Sequence, residues 1–178
     1  MKKIKRITVA FLVILLVACQ GNTPNQVIDR AVLNANLLYV NYGKTYFEQL
    51  ENLKRFDQLK YYENNQTHPA TYTQYLEKVT IPDIQGKIDK VKKLSVNNDN
   101  KKLIEASLHL FESCMDYYKN DYPEITKLYD QEQPKAVIET AISSFEEATL
   151  DEFYQLNDAL NQEAKPYAEK HGVDLIIN

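Results

Sequence analysis

Apolar residues recur at steps of three and four along most of this chain, a pattern typical of amphipathic α-helices. The first such stretch opens at Thr23-Pro24-Asn25-Gln26, where threonine suits a helix cap, proline the first position and glutamine a contact back to the cap. The stretch continues to about Glu63, and its apolar stripe comprises Ile28, Ala31, Ala35, Leu38, Tyr42, Tyr46, Leu50, Leu53 and Phe56. We therefore predict a first long helical arm.

Two further arms follow after polar breaks. Helix is predicted to restart at Thr67-His68-Pro69 and to be kinked or split at Pro82, because proline lacks a backbone donor and clashes with the preceding turn. A third arm begins near Lys101 after a turn at 97–100, and Pro123 is expected to kink or end it.

A fourth arm opens at Pro134 and stops at Gly172, since glycine commonly follows the last residue of a helix. Thr149 and Glu152 also fit a capping box, so two helices that meet near Leu150 are an alternative. We favour one continuous helix.

Strand-like alternation of apolar and polar residues is absent from the sequence, except in the tail 173–177. Short loops make consecutive helices neighbours. Four amphipathic arms with short polar turns therefore predict an all-α protein, an elongated antiparallel four-helix bundle with proline-kinked arms.

The N-terminus has a different pattern. Residues 1–6 carry four cations, and an apolar run from Ile7 to Ala18, broken only by Thr8, follows them. This order is typical of an export signal. The run is too short to span a bilayer, which takes about 20 apolar helical residues.

The apolar run ends in Leu16-Val17-Ala18-Cys19, which resembles the lipobox of bacterial lipoproteins. The resemblance implies cleavage before Cys19, a diacylglycerol on its thiol and an acyl chain on its new amino group. The chain then divides into a signal peptide (1–18), a lipidated cysteine with a tether (19–23) and a helical domain (24–178). The resemblance places the protein in the cell envelope, and Gln20 after the cysteine implies the outer membrane if the organism is diderm.

Charge narrows the range of partners. The full chain has a formal charge of −4. Cleavage of the predicted signal peptide removes four cations and no acids, so the mature protein is expected to carry a formal charge of −8. Because affinity for nucleic acid depends on neutralising phosphates, we expect no nucleic-acid partner. The remaining length suits a single domain.

Catalytic and metal-binding motifs are absent from the sequence. It has no Gly-x-Ser-x-Gly elbow, no phosphate-binding glycine loop, no His-Glu-x-x-His helix and no Glu-x-x-His pair. Glu105, His109 and Glu112 share a predicted helix face and are a weak metal candidate, with solvated side chains as the favoured interpretation. The acid pairs Glu146-Glu147 and Asp151-Glu152 are compatible with glycosidase chemistry, although solvated faces often carry such pairs. We predict no cofactor besides the lipid.

One cysteine, Cys114, has no partner once Cys19 is lipidated. It falls on the apolar stripe of the third arm, so we predict a small buried residue. A disulfide-linked dimer is the alternative.

The chain has 13 tyrosines and no tryptophan. Tyrosine combines a flat apolar ring with a hydrogen-bonding tip, which suits contact with a protein or a glycan. Five tyrosines near predicted arm ends are candidates for a contact patch, although packing at the edge of the core is the favoured interpretation: Tyr61, Tyr62, Tyr118, Tyr122 and Tyr129. The lysines at 87, 90, 92 and 93 are interpreted as a solvated face, for which anionic headgroups are the one partner suggested.

These features favour a membrane-anchored, non-enzymatic helical bundle that presents a surface to an envelope or extracellular protein. Two alternatives stay open. A small-ligand- or metal-binding lipoprotein requires a pocket between the arms. An envelope enzyme that acts on glycan or lipid through carboxylates requires two acids that converge in a buried cleft.

Overall fold

The computed structural model describes residues 21–175; the predicted signal peptide, Cys19 and the end of the tail lie outside this range. Within it the chain is mostly helical, which confirms the all-α class. In chain order the elements are α1 (Pro24–Ile28) with a π-helical turn (Asp29–Leu33), α2 (Asn36–Val40), α3 (Gly43–Arg55), β1 (Lys60–Glu63), β2 (Gln66–Pro69), α4 (Tyr72–Tyr75) with a π-helical turn (Leu76–Thr80), α5 (Ile81–Lys92), α6 (Lys101–Asn120), α7 (Tyr122–Asp130) and α8 (Lys135–His171).

The first arm starts as predicted but is shorter and interrupted. At its start the Thr23 hydroxyl accepts from the Gln26 amide, and the Gln26 side chain accepts from the Thr23 amide. The helix is broken between α2 and α3, where Gly43 has a φ of +51°. This left-handed conformation does not fit a continuous right-handed helix. The arm ends at Arg55, so its predicted extension to Glu63 was wrong.

A β-hairpin occupies residues that were predicted as helix and polar break. β1 pairs antiparallel with β2, and Asn64 and Asn65 close the turn with φ of 52° and 60°. Two consecutive left-handed residues make the two-residue turn that suits a hairpin, and asparagine adopts that conformation readily. The predicted restart at Thr67 was therefore also wrong. The second arm starts at α4, with Thr71 as its cap.

Five of the six prolines fall near helix starts or inside one helix, and Pro69 ends β2. Pro82 lies in the first turn of α5, and helical turns continue across it from α4 to the end of α5. Pro123 lies in the first turn of α7, two residues after a helix break at Asp121. α8 contains Pro166 and continues through it.

The fourth arm is one helix, which confirms the favoured interpretation. The Thr149 hydroxyl donates to the Phe145 carbonyl at 2.8 Å within α8, so it does not cap a new helix. α8 ends at Gly172, whose φ is 62°. This left-handed glycine is the predicted stop.

The helices enclose one apolar core. α8 packs against α3, α6 and α7, and α6 packs against α5. The largest buried side chains include Phe47, Phe111, Phe153, Leu38, Leu76, Ile84 and Leu110.

Contacts between loops and helix termini define two ends of the domain. At the tether end the Asn22 side chain accepts from the Ser95 amide at 2.7 Å, and Asp99 binds Lys170 and His171 at the C-terminus of α8. At the far end the Asp130 carboxylate accepts from the first two amides of α4. The hairpin, α4, the end of α7 and the start of α8 belong to this far end.

Candidate functional site

A groove lies between α3 and the first half of α8 at the far end. Its volume is about 410 Å³. Its floor consists of Phe47, Ile138 and Ile142, which are buried, and of the half-buried Tyr129 at the end of α7. Helical steps of four place Ile138 and Ile142 on one face of α8, so this face and the Phe47 side of α3 make a continuous apolar floor.

The rim of the groove is charged. It carries four carboxylates and two ammonium groups, from Glu48, Glu51, Glu139, Glu146, Lys44 and Lys135. Lys44 and Glu48 lie 3.7 Å apart and Lys135 and Glu139 3.5 Å apart, each pair on the exposed surface of one helix. Such exposed pairs contribute little to stability. The rim therefore has an excess of negative charge.

Tyr129 links the floor to the rim. Its hydroxyl donates to a Glu51 carboxylate oxygen at 2.9 Å, and its ring stacks on Phe47 and on Tyr72. Burial, followed by the neighbouring Glu51 carboxylate, raises the pKa of Tyr129 above its ordinary value. The phenol is therefore a neutral donor at physiological pH.

Glu146 fixes the start of α3 against α8. Its Oε1 accepts from the Lys44 amide at 2.7 Å, in the first turn of α3. A carboxylate at a helix N-terminus satisfies a free amide and the positive end of the helix dipole. The carboxylate covers Gly43 so closely that a Cβ at that position would lie 2.2 Å from Oε1. Glycine is thus required at position 43 both by conformation and by space.

Two buried tyrosines hold the turn that precedes α3. The Tyr122 hydroxyl accepts from the Gly43 amide at 2.7 Å and donates to the Asn41 carbonyl at 3.0 Å. The Tyr118 hydroxyl donates to the same carbonyl at 3.2 Å. Burial raises the pKa of both tyrosines well above the ordinary value of a phenol. Their role is structural, because they satisfy the backbone at the break between α2 and α3.

Tyr118 and Tyr122 are 2% and 0% exposed, so these two residues pack inside the domain and are not placed for the partner contact considered for them. Their position near arm ends did not indicate exposure, because the turn at Asn41 buries both hydroxyls. The other two principal candidates lie on the hairpin. Tyr62 is 70% exposed, whereas Tyr61 is half-buried, stacks on His68 and lies 4.2 Å below the Lys78 ammonium.

The structure gives the weak metal candidate no support. Glu105, His109 and Glu112 are exposed on α6, and the two carboxylates lie 3.8 Å and 2.8 Å from the ammonium groups of Lys101 and Lys92. Between residues 21 and 175, no group of three or more histidine, cysteine, aspartate or glutamate side chains is placed to hold a metal ion.

The remaining candidates take structural roles. Cys114 is buried as predicted, and its burial raises the pKa of the thiol, which disfavours the dimer alternative.

Glu152 accepts from the Tyr117 hydroxyl at 2.8 Å, whereas Glu146 faces α3. Adjacent acids on one helix point to different faces, so the acid pairs do not converge. Cys19, the predicted lipid attachment site, lies outside the described residues.

Comparison of the chain with protein-family models, with curated proteins and with solved structures finds no match. In the part of the chain that the structure describes, no helix has both the length and the apolar character needed to cross a membrane.

Proposed function

We propose that the protein is a lipid-anchored envelope lipoprotein whose helical domain binds another envelope or extracellular protein in the groove between α3 and α8. The lipobox-like residues 16–19 support the anchor. The groove supports the binding role, because it combines an apolar floor with a charged rim at the end of the domain opposite the tether. This groove is the observation on which the proposal depends.

We also infer that the helices form an elongated antiparallel bundle of four arms, kinked near prolines. The arms are α1 to α3, α4 with α5, α6 with α7, and α8. Support comes from contacts between arms at both ends, from the packing of α3 in the first arm against α8, and from the helix break next to Pro123. In this arrangement the tether and the groove lie far apart.

The chemistry of the groove selects its partner. An excess of carboxylates on the rim favours lysine or arginine, and the buried floor favours apolar side chains. We therefore expect a segment of a partner protein in which basic and apolar residues alternate. The second candidate is a small amphipathic amine, since the groove volume falls within the roughly 300–1,000 Å³ of small-molecule sites. The enzyme alternative loses support because Glu48, Glu51 and Glu139 are exposed.

Two adjacent serines on α8 provide a matched test. Both are exposed, but Ser143 lines the groove and Ser144 does not. A photo-crosslinking residue at position 143 of the lipidated protein, expressed in its native host, is expected to capture one protein, and the same residue at position 144 is expected to capture none. Equal capture at both positions would exclude the groove as the binding surface.

Charge reversal separates electrostatic recognition from general adhesion. The double variant Glu48→Lys/Glu139→Lys is expected to abolish capture from position 143, whereas Glu77→Lys/Glu147→Lys, with the same charge change at exposed positions outside the groove, keeps it. Native mass spectrometry tests the second candidate, a small amphipathic amine. A bound small molecule that is lost in Ser143→Trp but kept in Ser144→Trp would favour it.

The anchor has its own test. Mass spectrometry of the N-terminal peptide is expected to show lipid on Cys19, and Cys19→Ser is expected to release the protein from the membrane fraction. An unmodified Cys19 in the mature protein would refute the anchor and leave the groove untouched.

A further inference from the structure

The tether is docked on the domain at one point. The Asn22 side chain accepts from the Ser95 amide at 2.7 Å, in the loop between α5 and α6. Only three residue steps separate Asn22 from Cys19, so the lipid-carrying residue lies at most about 11 Å from Asn22 along the chain. If Cys19 is lipidated, this loop lies next to the bilayer.

The docked loop and the helix ends on either side of it together carry positive charge in an acidic protein. Residues 89–102 contain five lysines and two aspartates, a formal charge of +3, whereas the mature chain as a whole carries −8 after the signal's four cations are removed from −4. Lys93 and Lys102 are exposed, and neither has a carboxylate within ion-pair distance among residues 21–175. Lys87, in contrast, is buried and bound to Asp83. Two exposed lysines without an ion pair among residues 21–175 therefore lie at the ends of the docked loop, next to the tether.

An exposed apolar side chain lies among these cations. Val96, at the tip of the loop, is 59% exposed and directly follows Ser95, the residue that binds Asn22. On its other side Asp99 binds Lys170 and His171, so the loop is also held to the C-terminus of α8. A valine flanked by lysines on a loop held at two points fits the boundary between headgroups and acyl chains.

We propose that this tip, Lys93 to Lys102 with Val96 at its centre, docks on the bilayer that holds the anchor and binds anionic lipid headgroups, which orients the groove away from the membrane. The inference rests on the proposed lipid anchor. The maximum tether length is comparable to the Debye length of about 8–10 Å at physiological salt, so the lysines remain within range of an anionic surface.

The absence of tryptophan from the chain allows a single-reporter experiment. Val96→Trp and Tyr62→Trp each introduce one indole at an exposed position, the first at the tip and the second on the far-end hairpin. The lipidated proteins are reconstituted into vesicles of phosphatidylethanolamine and phosphatidylglycerol with brominated acyl chains. Emission from position 96 is expected to fall by about half or more, because the side chain reaches the acyl boundary, and emission from position 62 is expected to be unchanged.

The charge requirement is tested in the same assay. Lys93→Glu/Lys102→Glu in the Val96→Trp background is expected to abolish quenching, whereas Lys54→Glu/Lys119→Glu, at exposed lysines away from the tip, is expected to preserve it. Vesicles of phosphatidylcholine alone are expected to quench position 96 less than anionic vesicles. Equal quenching in both kinds of vesicle, or in both double variants, would overturn the role of anionic headgroups.

Vesicle flotation separates this inference from the anchor. Protein that floats with vesicles and carries lipid on Cys19, but shows no quenching at position 96, would overturn the docked tip and leave the anchor intact. Protein that carries no lipid would overturn the anchor and the docked tip together.

Discussion

Replacement of Gly43 by alanine tests how the groove is held together. Gly43 has a φ of +51°, and an added Cβ would lie 2.2 Å from Glu146 Oε1. A left-handed conformation costs a non-glycine residue about 1–2 kcal/mol. Displacement of Glu146 also removes the cap on the Lys44 amide, and loss of a side-chain cap costs about 0.5–2 kcal/mol. We expect the free energy of unfolding to fall by about 1.5–4 kcal/mol.

Urea unfolding of the purified domain, followed by circular dichroism at 222 nm, measures this loss. With a dependence on urea of about 1–3 kcal/mol per molar, the midpoint is expected to fall by roughly 1–2 M. Gly86→Ala is the matched control, because a Cβ at this exposed helical position meets nothing within 4 Å. It is expected to stabilise the domain by about 0.5–1 kcal/mol.

A second background isolates the contact with the carboxylate. In Glu146→Ala the crowding is gone, so Gly43→Ala is expected to cost only the conformational part, about 1–2 kcal/mol. An equal cost in both backgrounds would show that Glu146 does not crowd position 43. A neutral effect of Gly43→Ala in the native background would refute the whole argument.

Three further outcomes are expected. Tyr122→Phe removes the acceptor of a buried amide and is expected to lower the free energy of unfolding by about 1–3 kcal/mol in urea titrations, whereas Tyr154→Phe, at an exposed ring, is expected to change it by less than about 0.5 kcal/mol. Hydrogen bonds from the lysine and the histidine at the end of α8 lower the pKa of Asp99 below its ordinary 3.8. Their stabilisation is present above that value and is lost as the pH falls through the lowered pKa. The thermal midpoint of the native protein should therefore fall more steeply than that of Asp99→Asn below about pH 4, and parallel curves would contradict this. Cys114, whose thiol pKa is raised by burial, is expected to react with Ellman's reagent only after unfolding, and rapid reaction of the folded protein would show that the site is open.

Local sequence patterns predicted much of the helical structure. The capping box at Thr23, the continuous α8 and its stop at Gly172 follow from the period of apolar residues and from the backbone chemistry of capping residues and glycine. The burial of Cys114 follows from its place on an apolar stripe. These features are local, so neighbouring residues in the chain suffice to determine them.

Tertiary structure decided that the hairpin forms, which tyrosines are buried and where the groove lies. In the sequence, Asn64-Asn65 is a polar break between apolar stretches. It becomes a hairpin turn because the segments on either side of it, β1 and β2, pair with each other. Tyr122 is buried because a backbone turn 79 residues away accepts and supplies its hydrogen bonds. Glu48 and Glu139 look like ordinary solvated residues of two helices, and they form one rim only because α3 packs against α8. The sequence alone thus determined the first helix start, the continuity of α8 and its stop at Gly172, because these depend on neighbouring residues. Contacts between distant segments decided where the first arm ends, which polar groups are buried and which surfaces meet.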